Sequence, residues 1–195
     1  LGCGKGLTSL YLAKETNAMV FATDLWISAT DNYKRFTEWQ IANQVIPLHA
    51  DANDLPFAND YFDAIICIDA FHYVGTQPHF FEKKILPLLK PNGVAILAIP
   101  GLKEEIHGCE PEIILEWLAG EESEFHLFHS REWWLNHLGK SNAFDIVQHF
   151  DLQCFEAAWN DWFLSGHEYT LHDKEYFPKG VSRYLTTVGL IIKKH

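Results

Sequence analysis

Short apolar segments alternate with helix-forming segments along most of the chain, and this alternation limits the possible folds more than any other feature of the sequence. The segment Tyr61–Asp69 is almost continuously apolar after Asp63, which is typical of a strand buried on both faces. The other strand candidates are Ala18–Thr23, Val45–His49, Val94–Ile99, Phe144–Phe150 and Val188–Lys193. Strands that alternate with helices form a mostly parallel sheet covered by helices on both faces. We therefore predict an α/β fold with a twisted sheet.

Helices are predicted between these strands from apolar spacing and capping residues. Thr8–Glu15 directly follows a glycine-rich turn, and Gln77–Leu89 has apolar residues at helical spacing before the turn sequence KPNG. Ser130 and Gly139 are suitable N- and C-terminal caps for a helix over Arg131–Leu138.

Two segments exceed what a minimal α/β domain requires, namely residues 101–129 and 155–183. Both follow strand candidates on the side where open α/β sheets bind ligands, so we predict that they are insertions covering a site. The prediction is one domain over residues 1–195. Its cofactor-binding half is residues 1–100, and its substrate half is residues 101–195.

Composition and charge exclude several classes of protein. The 195 residues are 48% hydrophobic and carry a net charge of −11, which suits one folded domain and opposes binding to phosphate backbones. We therefore expect a small-molecule partner and no nucleic acid. No run of about 18 apolar residues occurs, so no membrane span is expected. The four cysteines form no C-x-x-C pair, which favours a reducing, cytoplasmic setting.

The chain opens with LGCGKG, in which Gly2, Gly4 and Gly6 alternate with other residues. Such glycines allow a tight turn and a close approach of the backbone to a ligand at a helix N-terminus. The dinucleotide fingerprint G-x-G-x-x-G would need a third glycine where Leu7 stands, which argues against a nicotinamide-dependent oxidoreductase. Asp24 follows about twenty residues later, at the end of a predicted strand. It can accept hydrogen bonds from ribose hydroxyls, or it can cap the following helix.

Three more motifs follow in order: ADANDLPF at 50–57, FDAII at 62–66 leading into DAFHY at 69–73, and LLKPNGVAI at 88–96. Together with the glycine turn and Asp24, they resemble the class I S-adenosylmethionine-dependent methyltransferases, in the ubiquinone/menaquinone-biosynthesis-like (type 11) branch. LKPNG departs slightly from that family's LKPGG turn. The resemblance covers residues 1–100 and implies a Rossmann-like fold that binds S-adenosyl-L-methionine and releases S-adenosyl-L-homocysteine.

The resemblance also implies roles for individual residues. The turn of Gly2, Cys3, Gly4 and Gly6 would approach the methionine and ribose parts of the cofactor, and Asp24 would bind the ribose hydroxyls. Leu25 would lie at the adenine edge, and Asp51 with the backbone of Ala52 would bind the adenine amino group. Ile68 and Asp69 would end the fourth strand of the family near the sulfonium. Apart from Ile68, which could simply be core, each of these residues can also be a turn, cap or surface residue.

In the family a strand precedes the glycine turn, and the sheet order is 3-2-1-4-5-7-6. The chain begins at the turn, so we expect that this first strand and an N-terminal segment are missing, and that the chain alone is poorly stable.

Residues for the chemistry itself are less well defined by the sequence. A hydroxyl or carbon acceptor needs a general base, and His72 or Tyr73 after the fourth strand is the candidate; His72 could instead only pack. Trp159 and Trp162 could wall a pocket for an apolar or cationic acceptor, or pack in a core. Histidines and glutamates at positions 124, 126, 129 and 132 lack any recognised ligand spacing, so no metal site is predicted.

The favoured hypothesis is methyl transfer to a nitrogen, oxygen or carbon atom of a small molecule. A protein that binds the cofactor without catalysis is the main alternative, since fold alone does not decide function. An enzyme similar to cyclopropane-fatty-acid synthases and a nicotinamide-dependent oxidoreductase rank lower. The sequence does not predict an oligomeric state.

Overall fold

A computed structural model of the chain describes residues 1–118, 124–139, 141–168 and 170–195. Its helices are α1 (Leu7–Glu15), α2 (Ala29–Glu38), α3 (His72–Gly75), α4 (Glu112–Leu118), α5 (Arg131–Leu138), α6 (Phe155–Leu164) and α7 (Thr170–Tyr176). Its strands are β1 (Val20–Asp24), β2 (Val45–His49), β3 (Phe62–Ile68), β4 (Leu89–Leu102), β5 (His129–Ser130), β6 (Phe144–Asp151) and β7 (Leu185–Lys194). Short 3₁₀ or π turns occupy Phe81–Ile85, Leu86–Leu88, Glu124–Leu127 and Val181–Arg183.

The strands form two sheets that lie edge to edge. One sheet pairs β1 with β2 in parallel, and the other has the order β3-β4-β7-β6, with the short β5 added to β4. β3 and β5 are parallel to β4, whereas β7 is antiparallel to both of its neighbours. The predicted α/β, Rossmann-like fold class is confirmed, and the antiparallel β7 makes its sheet mixed.

A groove separates β1 from β3. It is a cavity of about 620 Å³, lined on one side by residues of β1 such as Phe21 and on the other by residues of β3 such as Ile66. Residues 1–3 cross its end: the nitrogen of Leu1 donates to the Ile66 carbonyl over 2.8 Å, and the N–H of Cys3 donates to the Thr23 carbonyl over 2.9 Å. The orders β2-β1 and β3-β4-β7-β6 agree with the expected order for the strands that the structure describes.

The helix ends follow from local sequence. The Ser28 side chain caps α2 by accepting the N–H of Asp31 at 3.1 Å, and Ser130 caps α5 by accepting the N–H of Trp133 at 3.2 Å. Gly139 ends α5 with φ of 68°, as glycine after a helix does. The prediction for Arg131–Leu138 is therefore confirmed, including both caps.

The predicted helix over Gln77–Leu89 was wrong in its form. His79 takes a φ of 62°, and the segment that follows is a π turn at Phe81–Ile85 and a 3₁₀ turn at Leu86–Leu88. Pro87 has no N–H to donate, so a regular helix is not continued through it. The apolar spacing still predicted burial correctly, because Phe81 and Ile85 are almost completely buried.

The two predicted insertions share one hydrophobic cluster. Ile114 of α4, Phe155 of α6 and Val181 pack together with Leu102 and Leu185 at the ends of β4 and β7. Parts of both insertions, residues 119–123 and residue 169, lie outside the described residues. Among the described residues no helix is long and apolar enough to cross a membrane, and all four cysteines are free thiols.

Candidate cofactor site

A second cavity, of about 400 Å³, opens where β1, β2 and β3 end. This volume falls within the range of about 300–1,000 Å³ that is usual for ligand pockets. The predicted cofactor residues that line it are Gly2, Gly4, Asp24, Leu25, Asp51, Ala52 and Asp69. The structure thus brings together residues that are up to 67 positions apart, at the edge where open α/β sheets bind ligands.

Asp24 fixes two of the loops around this cavity. Its side chain is almost buried, and Oδ2 accepts the N–H of Gly4 at 2.7 Å. Oδ1 accepts the N–H groups of Trp26 and Ile27, both at 2.9 Å. A carboxylate offers about four lone-pair positions, so Oδ2 keeps one for a further donor such as a ligand hydroxyl. The alternative that Asp24 caps the following helix is wrong, because Ser28 caps α2. The geometry of Asp24 is compatible with ligand binding.

The three glycines of the opening turn have positive φ but different surroundings. A Cβ atom on Gly4 would have no heavy atom within 4 Å, so the backbone here is open to a ligand. A Cβ on Gly6 would come within 2.3 Å of the Phe36 ring, and one on Gly2 within 2.3 Å of the Cβ of Ala70. Gly6 does not line the cavity. Its φ of 89° and its contact with Phe36 assign it to packing of the turn against α2.

The charged residues of the cavity are mostly acidic. Asp24, Asp51 and Asp69 line it together with one cation, Lys5. Hydrogen bonds from the backbone and side chain of Asn53 lower the pKa of Asp51, which is therefore charged at neutral pH. Asp69 has a φ of 56°, and its N–H donates to the Ala98 carbonyl over 2.8 Å. This lining suits a ligand with positive charge and hydroxyl donors, and it opposes an anionic diphosphate.

Two predicted cofactor residues border the groove rather than this cavity, namely Cys3 and Ile68. Burial, with the nearby Asp24 carboxylate, raises the pKa of the Cys3 thiol to about 11, so it is uncharged. The Ile68 side chain is 40% exposed, on the groove between β1 and β3.

Of the predicted catalytic pair, Tyr73 borders the cavity, whereas His72 lies behind it. The His72 ring centroid is 4.1 Å from that of Tyr73 and 5.7 Å from that of Phe128. His72 is only 2% exposed, and within the described part of the chain its Nδ1 has no hydrogen-bond partner. Burial lowers the pKa of His72 to about 4, so the ring is neutral at physiological pH.

Trp159 and Trp162 border neither of these two cavities. Trp159 packs on Phe177, with ring centroids 4.3 Å apart. The Trp162 indole N–H donates to Asp173 over 3.1 Å, and Asp173 accepts a second bond of 3.1 Å from the indole of Trp117. Trp162 thus holds α6 against α7, and Trp159 packs α6 on the residue directly after α7. The structure does not bring either tryptophan to the candidate cofactor site.

Sequence reasoning missed Trp26, which lines the cavity and is 68% exposed. Its ring meets Tyr73 edge to face, with centroids 4.9 Å apart. An aromatic residue two positions after a strand-ending aspartate was the available signal, because large exposed aromatic side chains commonly mark binding sites.

The predicted absence of a metal site rested on the spacing of residues 124–132. The structure instead groups one of those residues, His129, with Glu105 and His107 from the preceding loop. This cluster lies outside the cavity.

Comparison with known proteins is consistent with this geometry. Residues 1–97 match the family model described as "Methyltransferase domain". The human protein named "Arginine-hydroxylase NDUFAF5, mitochondrial" is 36% identical over 101 residues, which are 52% of this chain and 28% of that protein. The chain therefore aligns with less than a third of this relative's length.

Two solved structures share the fold along the whole chain. Geranyl diphosphate C-methyltransferase from Streptomyces coelicolor, in complex with Mg²⁺, geranyl diphosphate and S-adenosyl-L-homocysteine, superposes with a TM-score of 0.75 and 17% identity, over 100% of this chain and 69% of that one. The [4+2]-cyclase SpnF superposes with a TM-score of 0.74 and 16% identity, over 99% of this chain and 73% of that one. At these identities the likeness concerns the fold alone.

Proposed function

Because residues 1–97 belong to the methyltransferase-domain family, we propose that the chain binds S-adenosyl-L-methionine in the acidic cavity and transfers its methyl group to a small molecule. The observation that carries the proposal is the convergence of Gly4, Asp24, Asp51 and Asp69 on one cavity of about 400 Å³. A [4+2]-cyclase is similar in fold to this chain, so the fold without the site would not be enough to propose methyl transfer.

The residues present fit this cofactor. S-adenosyl-L-methionine has a sulfonium and an ammonium group, both positive, and two ribose hydroxyls that can donate hydrogen bonds. Oδ2 of Asp24 has a lone pair left for a hydroxyl, and Asp51 is a charged acceptor for an adenine amino group. The open side of Gly4 leaves room for the cofactor beside the backbone.

When bound, the cofactor supplies an electrophilic methyl group and leaves as S-adenosyl-L-homocysteine. The chain mainly has to hold the nucleophile in line at short range. We assign the positioning of the nucleophile to the aromatic side chains of Tyr73 and Trp26, which border the cavity. Their ring faces attract cations and pack on apolar groups, which suits an amine or an apolar acceptor.

His72 contributes a neutral ring rather than a strong base in this proposal. With a pKa of about 4, His72 is a weak base and does not hold a proton at neutral pH. In the tautomer that carries its proton on Nε2, the unpartnered Nδ1 would accept, so the ring could orient an O–H or N–H of the methyl acceptor after a movement of the Tyr73 side chain. A nucleophile that is already neutral, such as a free amine, needs no more than this.

Hydroxylation is a second candidate, favoured by two observations. The human relative is named an arginine hydroxylase, and the cluster of Glu105, His107 and His129 has the two-histidine, one-carboxylate composition of non-haem iron(II) oxygenases. Such a reaction consumes dioxygen and two electrons from a reductant, inserts one oxygen atom into a C–H bond and releases the other as water. Methyl transfer needs neither dioxygen nor a reductant, so anaerobic assays separate the two candidates.

Calorimetric titration of S-adenosyl-L-methionine and S-adenosyl-L-homocysteine tests the proposal first. We expect binding in the micromolar range, at least tenfold weaker in Asp51→Ala and unchanged in Asp54→Ala, because the exposed Asp54 does not line the cavity. Failure of the folded wild-type chain to bind either compound would refute it. Binding without transfer of a labelled methyl group to any amine, phenol or carbon acid would leave a non-catalytic binding protein.

A further inference from the structure

Three side chains with metal-binding atoms meet beyond the carboxyl end of β4. Oε2 of Glu105 lies 3.3 Å from Nδ1 of His129 and 4.0 Å from Nε2 of His107. One ligand atom from each residue lies within 4.8 Å of the other two. Two ligands at about 2.1 Å from a metal and at right angles are about 3 Å apart, so the three atoms need little movement to share one ion.

The fold orients two of these side chains through one short strand. β5 pairs with the end of β4, with His129 opposite Gly101 and Ser130 opposite Leu102. The N–H of Ser130 donates to Oε1 of Glu105, which leaves Oε2 facing the histidines. In metal sites, the side chains that bind the ion are commonly oriented by hydrogen bonds from neighbouring groups that do not bind it.

Aromatic stacking fixes the ring of His129. It lies parallel to Trp133, with centroids 3.6 Å apart and an angle of 6° between the rings. Trp133 in turn stacks on His137 at 4.4 Å, and Nε2 of His137 is 2.9 Å from the Gly75 carbonyl. The His129 side chain is only 13% exposed, so a metal ligand at this position would be preorganised.

The chemistry of the three ligand atoms suits a cation. Glu105 offers a carboxylate oxygen, and His107 and His129 each offer an imidazole nitrogen. A metal ion binds an imidazole through a nitrogen that has a free lone pair, and a carboxylate adds negative charge beside the ion.

His107 can join them through a change of tautomer. Its Nε2 is 2.8 Å from the Phe128 carbonyl, to which it donates when it carries the proton. With the proton on Nδ1 instead, Nε2 has a lone pair, and an ion beside it would also lie within reach of the Phe128 carbonyl oxygen. The separation of 2.8 Å is close to that of neighbouring ligands on one ion.

We propose that Glu105, His107 and His129 bind a divalent first-row transition metal ion. The ligand set is two imidazoles and one carboxylate on one side of the ion, an arrangement that leaves coordination positions open for water or an oxygen-bearing small molecule. Phe128 contacts both the cluster and His72: its carbonyl oxygen lies 2.8 Å from Nε2 of His107, and its ring centroid lies 5.7 Å from that of His72. The site does not depend on which reaction the chain catalyses.

Titration of the metal-free full chain with Co²⁺, followed by visible absorption and by calorimetry, tests the site. We expect saturation at one ion per chain, with affinity at least tenfold lower in Glu105→Gln and in His107→Asn. Glu82→Gln is the matched control, because Glu82 is 3.2 Å from Nδ1 of His79 but has no second histidine in its cluster among the described residues. Its affinity should equal that of the wild type.

Circular dichroism establishes that each variant is folded. If Glu105→Gln does not fold, the test rests on His107→Asn, because His107 is half-buried and lies in a loop. Absence of saturable binding by the wild-type chain would overturn the proposal. Equal affinity of the wild type and both ligand variants would also overturn it, because the ion would then be bound elsewhere.

Discussion

The backbone N–H of Gly4 donates to Oδ2 of Asp24 over 2.7 Å, across 20 positions of sequence. The same carboxylate accepts the N–H groups of Trp26 and Ile27. One side chain therefore holds both the glycine turn and the loop after β1, and the shape of the cofactor cavity depends on it.

Replacing Asp24 with alanine should reduce both stability and cofactor affinity. Three N–H groups lose a charged acceptor in a nearly buried place, and the expected loss is about 3 kcal/mol of unfolding free energy. Urea denaturation and calorimetric titration with S-adenosyl-L-methionine measure the two effects. Asp51→Ala is the comparison: the exposed Asp51 should lose affinity with little change in stability. A stable Asp24→Ala variant would contradict the assigned role in loop structure.

The substitutions Gly4→Ala and Gly6→Ala should have different effects, the first mainly on cofactor affinity and the second mainly on stability. Both positions have positive φ, which costs roughly 1–2 kcal/mol for a residue with a Cβ. Gly6→Ala adds a clash with the Phe36 ring, for which we expect about 1–3 kcal/mol more. Gly4→Ala meets no protein atom but extends towards the cavity, so it should mainly weaken cofactor binding. Equal melting temperatures for the two variants would argue against this distinction.

Acid should destabilise the fold through His72. The unfolded chain binds a proton there below about pH 6.5, whereas burial delays this in the folded chain until about pH 4. The unfolding free energy should therefore fall as the pH falls from 6.5 to 4, with a contribution from His72 of up to about 3 kcal/mol.

His72→Phe keeps a ring between Tyr73 and Phe128 but removes the titrating group. Urea denaturation at pH 7.0 and 4.5 should give a smaller difference for this variant than for the wild type. Equal differences would mean that His72 does not resist protonation in the folded chain.

The bonds from Trp117 and Trp162 to Asp173 should stabilise the layer formed by α4, α6 and α7. Removing this shared acceptor by Asp173→Ala leaves two indole N–H groups without it, and we expect a loss of about 1–2 kcal/mol. Denaturation followed by tryptophan fluorescence measures it. The neighbouring exposed Lys174→Ala should change stability by less than about 0.5 kcal/mol, and cofactor affinity should be unchanged in both variants.

The cofactor half of the fold could be predicted because its signals are local. Val45–His49 is bounded as expected, and the motifs around Asp24, Asp51 and Asp69 each follow a strand whose end lies at the same sheet edge. The caps at Ser130 and Gly139 were predictable because a single side chain or a single φ value decides them.

Other features depend on contacts that spacing does not encode. Apolar periodicity predicted the burial of Phe81 but not the π and 3₁₀ turns, because Pro87 and the positive φ of His79 override it. The cluster of Glu105 with His129 arises from the pairing of β5 with β4, between residues that are 24 positions apart. A tryptophan that packs in a helical layer and one that lines a pocket also look alike in sequence, as Trp159 and Trp26 illustrate.

The three bonds to Asp24 also couple the two loops that border the cavity. Oδ2 binds the glycine turn and Oδ1 binds the loop after β1, so a movement of one loop is transmitted to the other through a single carboxylate. A ligand that contacts only the loop after β1 should therefore also reduce the mobility of the glycine turn. A nucleoside fragment that lacks the methionine part of the cofactor would then order both loops.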